Sequence, residues 1–203
     1  MDIKFFCLSL ETPQRKQIFK KNKLIIPSLK LLYSVNGYNK LKVLELLKKL
    51  GLMYINIEFK TYGTLANFLT KYLCLLHQIQ CGYKYMCFIE DDFLILDGFI
   101  NFVEDNIYLL DKPDINMIRL GKWGEGYITS LEGAKRIIKC IKYKGIMGNI
   151  DNQLREACGK EIDIHTKNIF WKQIISANKG DCIKTEKFTN KEIYRYLGYN
   201  NKY

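Results

Sequence analysis

The chain has 203 residues, of which 48% are hydrophobic and 26% charged, a composition typical of globular proteins and not of disordered ones. Its formal net charge is +11, from 32 basic and 21 acidic residues. No apolar stretch is long enough to span a membrane and the N-terminus lacks a signal-peptide pattern, so we expect a cytoplasmic protein.

The basic charge and the cysteines exclude some binding classes. The basic residues are nearly all lysine, are spread along the chain and include only five arginines, whereas proteins that read bases favour arginine. We therefore expect no sequence-specific nucleic acid partner, and a basic surface that is incidental or serves an anionic acceptor. The seven cysteines form no C-x-x-C pair, which favours reduced thiols over a zinc or redox motif.

Strands and helices alternate along most of the chain. In chain order the pattern predicts a strand at 3–10, a helix from Pro13 to about Asn22, an ambiguous apolar stretch at 24–35, a helix at 41–50, a strand at 53–59, a helix from Gly63 to Gln80, a strand at 85–89, a helix from 98 to about 110, a strand at 114–120, a glycine-rich loop at 121–126, helices at 131–142 and 149–158, a strand at 162–165 and a polar tail with a helix after 178. This alternation predicts an α/β fold in one domain, residues 1–203, with a mostly parallel sheet flanked by helices.

Three adjacent acids, Glu90, Asp91 and Asp92, follow the apolar run at 85–89. Like charges repel and are costly to desolvate, so a positive partner is needed. Carboxylate oxygens suit Mg²⁺ or Mn²⁺, and open α/β sheets bind ligands at the carboxyl ends of their strands. The alternative interpretation is a solvated acidic turn.

An ordered set of motifs spans about residues 3–160. It comprises Leu8-Ser9-Leu10 with Arg15, the helical segment at 63–77, Phe88-Ile89-Glu90-Asp91-Asp92, Gly126-Tyr127-Ile128-Thr129-Ser130 with Gly133-Ala134, and Ile150-Asp151. This set resembles glycosyltransferase family 25, the lipopolysaccharide and collagen galactosyltransferase-like group, and related domains of large DNA viruses. Asn67 and Phe68 stand where that family usually has a Ser-His pair, and the tail at 178–203 is unassigned.

The resemblance implies a GT-A fold that transfers a sugar from a nucleotide sugar, commonly UDP-linked, to an acceptor hydroxyl on a glycan or protein by an inverting route. It implies Mn²⁺ (or Mg²⁺) at the acidic motif. Asp92 is the first candidate metal ligand, Glu90 the second, and the late His165 a third. A viral source would place the protein in the host cytoplasm.

The remaining candidate residues surround this motif. Leu10, Thr12 and Arg15 follow the first strand, where a GT-A fold holds the nucleotide, and Asp91 is expected to face the ribose or a structural partner. Thr12 is also a candidate helix cap.

Candidates for the base that takes the acceptor proton are Asp151 first and Glu125 second. Asp151 is alternatively a first-turn acid stabilised by the helix dipole, and Trp123 is a candidate for stacking on a sugar. Two other functions stay open at this point: a metal-dependent nuclease or phosphotransferase that uses the three acids, and a non-catalytic nucleotide-binding relic.

Overall fold

The computed structural model describes residues 2–10, 12–52, 61–121, 124–148, 150–157, 160–163, 170–173 and 185–198. The described strands are β1 (Ile3–Ser9), β2 (Lys30–Tyr33), β3 (Tyr85–Glu90), β4 (Phe93–Ile95), β5 (Ile115–Leu120), β6 (Gly126–Ser130), β7 (Lys160–Asp163) and β8 (Trp171–Gln173). The described helices are α1 (Pro13–Ile25), α2 (Lys40–Leu50), α3 (Tyr62–Cys81), α4 (Phe99–Asn106), α5 (Leu131–Lys144), α6 (Ile150–Ala157) and α7 (Asn190–Leu197), with a 3₁₀ turn at Ile107–Asp111.

Six strands form the central sheet, in the order β2-β1-β3-β6-β5-β7. β1 pairs in parallel with β2 and β3, and β5 pairs in parallel with β7. β6 runs antiparallel to both of its neighbours, β3 and β5. The other five strands therefore share one direction, and the carboxyl ends of β1 and β3 lie at the same edge. This topology confirms the predicted α/β fold with a mostly parallel sheet.

Hydrophobic clusters cover both faces of the sheet. Side chains alternate along a strand, so Phe6 and Leu8 of β1 pack with α2, α3 and α5. Phe5 and Cys7 pack on the opposite face, in the cluster that includes α4 and the buried Trp171. Helices on both faces agree with the composition of β3, which is apolar on both sides up to Glu90.

Most predicted elements are present with shifted ends. The ambiguous stretch at 24–35 contains the end of α1 and the strand β2. The glycine-rich loop ends in a true strand, β6, and the short pair of β4 and β8 had not been predicted as strands. The predicted strand at 53–59 lies outside the described residues.

Helix α3 has clear signals for its start and its end. The Thr61 side chain accepts a hydrogen bond from the Thr64 amide at the start of α3, and Gly82 ends the helix with a φ of 67°, a conformation that favours glycine. None of the helices among the described residues is long and apolar enough to cross a membrane.

Candidate functional site

The tip of β1 and the acidic motif meet at the carboxyl edge of the sheet. β1 and β3 pair in register, with Leu8 opposite Glu90. One carboxylate oxygen of Asp91 accepts a hydrogen bond from the Leu10 amide at 3.2 Å, and the other is paired with the Arg15 guanidinium. The side chains of Arg15 and Asp91 are both largely buried. Asp91 therefore connects the start of α1 to the end of β3.

A buried lysine of α3, Lys71, connects three parts of the site. Its Nζ lies 2.8 Å from Glu90 Oε1, 2.7 Å from Asp151 Oδ1 and 3.0 Å from the Gly124 carbonyl oxygen. An ammonium group has three donors, and these three acceptors use all of them. Lys71 is only 1% exposed, so it binds the end of β3, the glycine-rich loop and the start of α6 together from inside the fold.

The charges of this cluster are strongly coupled. Burial alone lowers the pKa of Lys71, but the Asp151 and Glu90 carboxylates outweigh burial and raise it above its usual value. Lys71 therefore stays protonated. Burial raises the pKa of Asp151 above that of an ordinary aspartate; Lys71 opposes this rise and Glu90 adds to it.

The glycine-rich loop approaches Asp151 closely. The Tyr127 hydroxyl donates a hydrogen bond to Asp151 Oδ1 at 2.8 Å. Gly124 has a φ of 77°, and a Cβ at this position would collide with the Tyr127 hydroxyl and the Asp151 carboxylate. A glycine is thus required here both by backbone conformation and by space.

Asp92 is buried, as is the neighbouring Asp91. It is 6% exposed, and its charge acts on the thiol of Cys7 in β1. Burial raises the pKa of Cys7 to about 12, and the Asp92 carboxylate adds to this rise. The Asp92 carboxylate therefore lies close enough to the end of β1 to act on this thiol, as do Arg15 and Glu90.

The acidic motif offers carboxylate ligands of the kind that a divalent cation prefers. Within the described part of the chain, no three histidine, cysteine or acidic side chains are grouped so that they could hold a metal. Mg²⁺-type cations, however, often take one or two carboxylates and complete their shell with ligand phosphates and water. Asp92 and Glu90 fit that chemistry, although Glu90 Oε1 already accepts from Lys71 and, at 3.4 Å, from Asn67.

Two of the other predicted site residues, Thr12 and Glu125, lie in the described part of the chain. Thr12 occupies the cap position of α1, but its side chain makes no capping hydrogen bond. Glu125 is buried, and its carbonyl oxygen accepts from the Glu90 amide at 2.7 Å, so this second candidate base adjoins the acidic motif. His165 and Trp123 lie outside the described residues.

Sequence reasoning missed Lys71 and Tyr127. The available signal for Lys71 is its place among the apolar residues of α3: Phe68 and Leu75, three residues before and four after it, are both buried. A lysine at a core-facing helical position needs a buried partner. Tyr127 was seen only as part of a motif, since nothing local shows that its hydroxyl reaches Asp151.

Comparisons with known proteins give no family for this chain: no family model matches, and none of the curated proteins matches. Among solved structures, the chain is similar to a glycosyltransferase involved in the glycosylation of the major capsid of PBCV-1, at 10% identity and a TM-score of 0.49, covering 91% of this chain and 99% of that one.

Two further solved structures are similar. The galactosyltransferase LgtC, in complex with donor and acceptor sugar analogs, matches at 10% identity and a TM-score of 0.47, covering 100% of this chain and 97% of that one. A cytidylyltransferase from Leptospira borgpetersenii matches at 11% identity and a TM-score of 0.43, covering 82% and 77%. At these values the likenesses assign no function to this chain.

Proposed function

We propose that this protein is a glycosyltransferase that moves a sugar from a UDP-linked nucleotide sugar to an acceptor hydroxyl on a glycan or protein. The main support is the cluster at the carboxyl edge of the sheet, where Lys71 joins Glu90 and Asp151 and where Asp91 joins Leu10 and Arg15. This edge is where open α/β sheets bind ligands. The ordered motifs of the sequence agree with it.

Arg15 and the strand-end residues form the nucleotide side of the proposed site. A guanidinium matches phosphate or carboxylate geometry with two parallel hydrogen bonds, and Arg15 is positioned by Asp91. Thr12 and Leu10 follow β1 directly and would line the same region. In this scheme Asp91 is a positioning residue that fixes Arg15 and the Leu10 amide.

Asp151 is the proposed base for the acceptor hydroxyl. Its side chain is 23% exposed, so part of it is accessible, while Lys71 and Tyr127 hold Oδ1. A pKa raised by burial makes a carboxylate a better proton acceptor near neutral pH. Glu125 remains the second candidate.

Asp92, together with Glu90, would hold the divalent cation, Mn²⁺ or Mg²⁺, with His165 as the third candidate ligand. Such a cation, when bound, offsets negative charge on the phosphate oxygens of a leaving nucleotide. Lys71 lies beside Glu90 and neutralises part of the acidic motif from the protein side.

Isothermal titration with UDP, with and without Mn²⁺, tests the nucleotide and metal parts of this proposal. We expect Mn²⁺ to strengthen UDP binding to the wild type, and Asp92→Ala to abolish that gain. Asp105→Ala on α4, an exposed acid, is the matched control and should bind like the wild type. If Asp92→Ala keeps the gain, the cation is not bound by Asp92.

Turnover of a panel of nucleotide sugars tests the chemical part. We expect Asp151→Asn to retain UDP binding and to slow sugar transfer strongly, since a base acts in the transition state. If the variant loses stability but keeps its activity per folded molecule, Asp151 is only the structural partner of Lys71. Cleavage of nucleic acid on adding Mg²⁺ would favour the nuclease alternative, and nucleotide binding without any transfer would favour the relic.

A further inference from the structure

The net positive charge of the chain is concentrated in one segment. Residues 12–44 contain eight of the 32 lysine and arginine residues and none of the 21 acidic residues. The lysines are spread along the whole chain, but the positive charge that no nearby acid compensates is concentrated in this segment. Two of the eight form ion pairs that link elements of the described structure: Arg15 pairs with Asp91, and Lys40 pairs with Glu186 and Glu192.

Helix α1 presents much of this charge on its outer side. We call this the lysine face; it consists of the exposed residues Lys16, Gln17, Lys20, Lys21, Lys23 and Leu24. Within the described part of the chain, the ion pairs do not include Lys20, Lys21 or Lys23.

The orientation of α1 is fixed by its inner side. Ile18 and Asn22 are buried. The side-chain NH₂ of Asn22 donates a hydrogen bond to the Phe93 backbone carbonyl oxygen at 2.7 Å. The side-chain oxygen of Asn22 accepts a hydrogen bond from the Ile95 backbone amide at 2.8 Å. Because α1 cannot rotate without breaking both bonds, the lysine face points away from the protein.

The same segment exposes apolar and aromatic side chains. Among the described residues, the most exposed large hydrophobic side chain is Leu24, at 83%, and it follows Lys23 at the end of the lysine face. Tyr33, Tyr38 and Leu41 of the same acid-free segment are 76%, 59% and 65% exposed. Exposed lysines beside exposed apolar and aromatic side chains, without acids, suit the surface of an anionic membrane.

We propose that the lysine face of α1 docks this protein on an anionic lipid surface, with Leu24 entering the headgroup region. Anionic lipids attract lysines near the membrane surface, whereas an exposed leucine gains nothing from a nucleic acid backbone. Lysine also lacks the planar fork that arginine uses for bases and phosphates. The proposal is independent of the glycosyltransferase reaction, since Lys20, Lys21 and Leu24 are not part of the candidate site.

Flotation with lipid vesicles tests this proposal. We expect the wild type to bind vesicles of phosphatidylcholine mixed with phosphatidylserine, to bind pure phosphatidylcholine much less, and to dissociate as salt is added. Each lysine near the surface contributes a factor of about five in affinity, so K20E/K21E should weaken binding by more than about twentyfold. L24S should weaken binding while leaving its salt dependence unchanged.

The matched control is K139E/K142E, which reverses two exposed lysines on α5 and should bind like the wild type. Thermal melting of each variant checks that it is folded. Equal binding to both kinds of vesicle, wild-type binding by folded K20E/K21E, or tighter binding to a DNA duplex than to the mixed vesicles would each overturn the proposal.

Discussion

Replacing Lys71 with methionine is the sharpest perturbation of the site. Methionine keeps most of the length and apolar stem of lysine but removes the ammonium that contacts Glu90, Asp151 and the Gly124 carbonyl oxygen. The two carboxylates would then face each other without a cation. We expect Lys71→Met to fold but to be clearly less stable than the wild type.

The magnitude follows from the contacts. At an effective dielectric constant of about 20, two unit charges 2.7 Å apart attract each other by about 6 kcal/mol, before the cost of desolvation is subtracted. Removing one partner of a buried ion pair typically costs about 3–5 kcal/mol. Asp151 and Glu90 are 23% and 27% exposed, so water can partly replace Lys71. We therefore expect the lower end, about 3 kcal/mol.

Urea unfolding followed by circular dichroism measures this loss. Lys139→Met on α5, an exposed lysine, is the matched control and should change the free energy of unfolding by less than about 0.5 kcal/mol. The double variant Lys71→Met with Asp151→Asn should lose less than the sum of the single variants, because a neutral amide needs no cation. A loss below about 1 kcal/mol for Lys71→Met, or strictly additive losses, would refute the assignment of Lys71 as the cation that compensates both acids.

Single contacts elsewhere in the fold can be tested in the same way. Gly124→Ala should destabilise the protein and weaken UDP binding, because the added Cβ collides with the Asp151 cluster; melting and titration measure both. Asn22→Ala leaves the Phe93 carbonyl and the Ile95 amide without their partner and should cost about 2–4 kcal/mol in urea unfolding. The backbone amide and the side-chain hydroxyl of Thr189 donate hydrogen bonds that lower the pKa of Glu192, so this carboxylate stabilises the fold above its unfolded pKa. The difference in melting temperature between wild type and Glu192→Gln should close as pH falls through the lowered folded pKa.

Much of the fold follows from the sequence because its signals are local. The helical spacing of α3, its stop at Gly82 and the unbroken apolar run of β3 each depend on neighbouring residues. The strand β6 was harder to predict from the sequence, because a five-residue strand that begins at Gly126 resembles the end of a loop. Its strand character comes from pairing with β3 and β5 on both sides, which no local pattern shows.

The contacts of the candidate site also divide into those that local sequence signals predict and those that only the fold creates. The placement of Arg15 near the acidic motif could be predicted, because both follow strands that pair in parallel. The contact between Lys71 and Asp151 joins residues 80 positions apart, and it depends on how α3 and α6 meet above the sheet. A buried lysine without an obvious partner in the sequence was the only sign of it.

The fold supplies part of the positive charge that the acidic motif needs. Three adjacent acids require a positive partner, and the sequence predicts a divalent cation in that place. The fold provides two cations of its own: Arg15 pairs with Asp91, and Lys71 pairs with Glu90. The need for a metal therefore depends chiefly on Asp92 and on the phosphates of a bound ligand, since a diphosphate adds negative charge to this edge of the sheet. It follows that a cation should bind weakly to the free protein and much more tightly together with UDP.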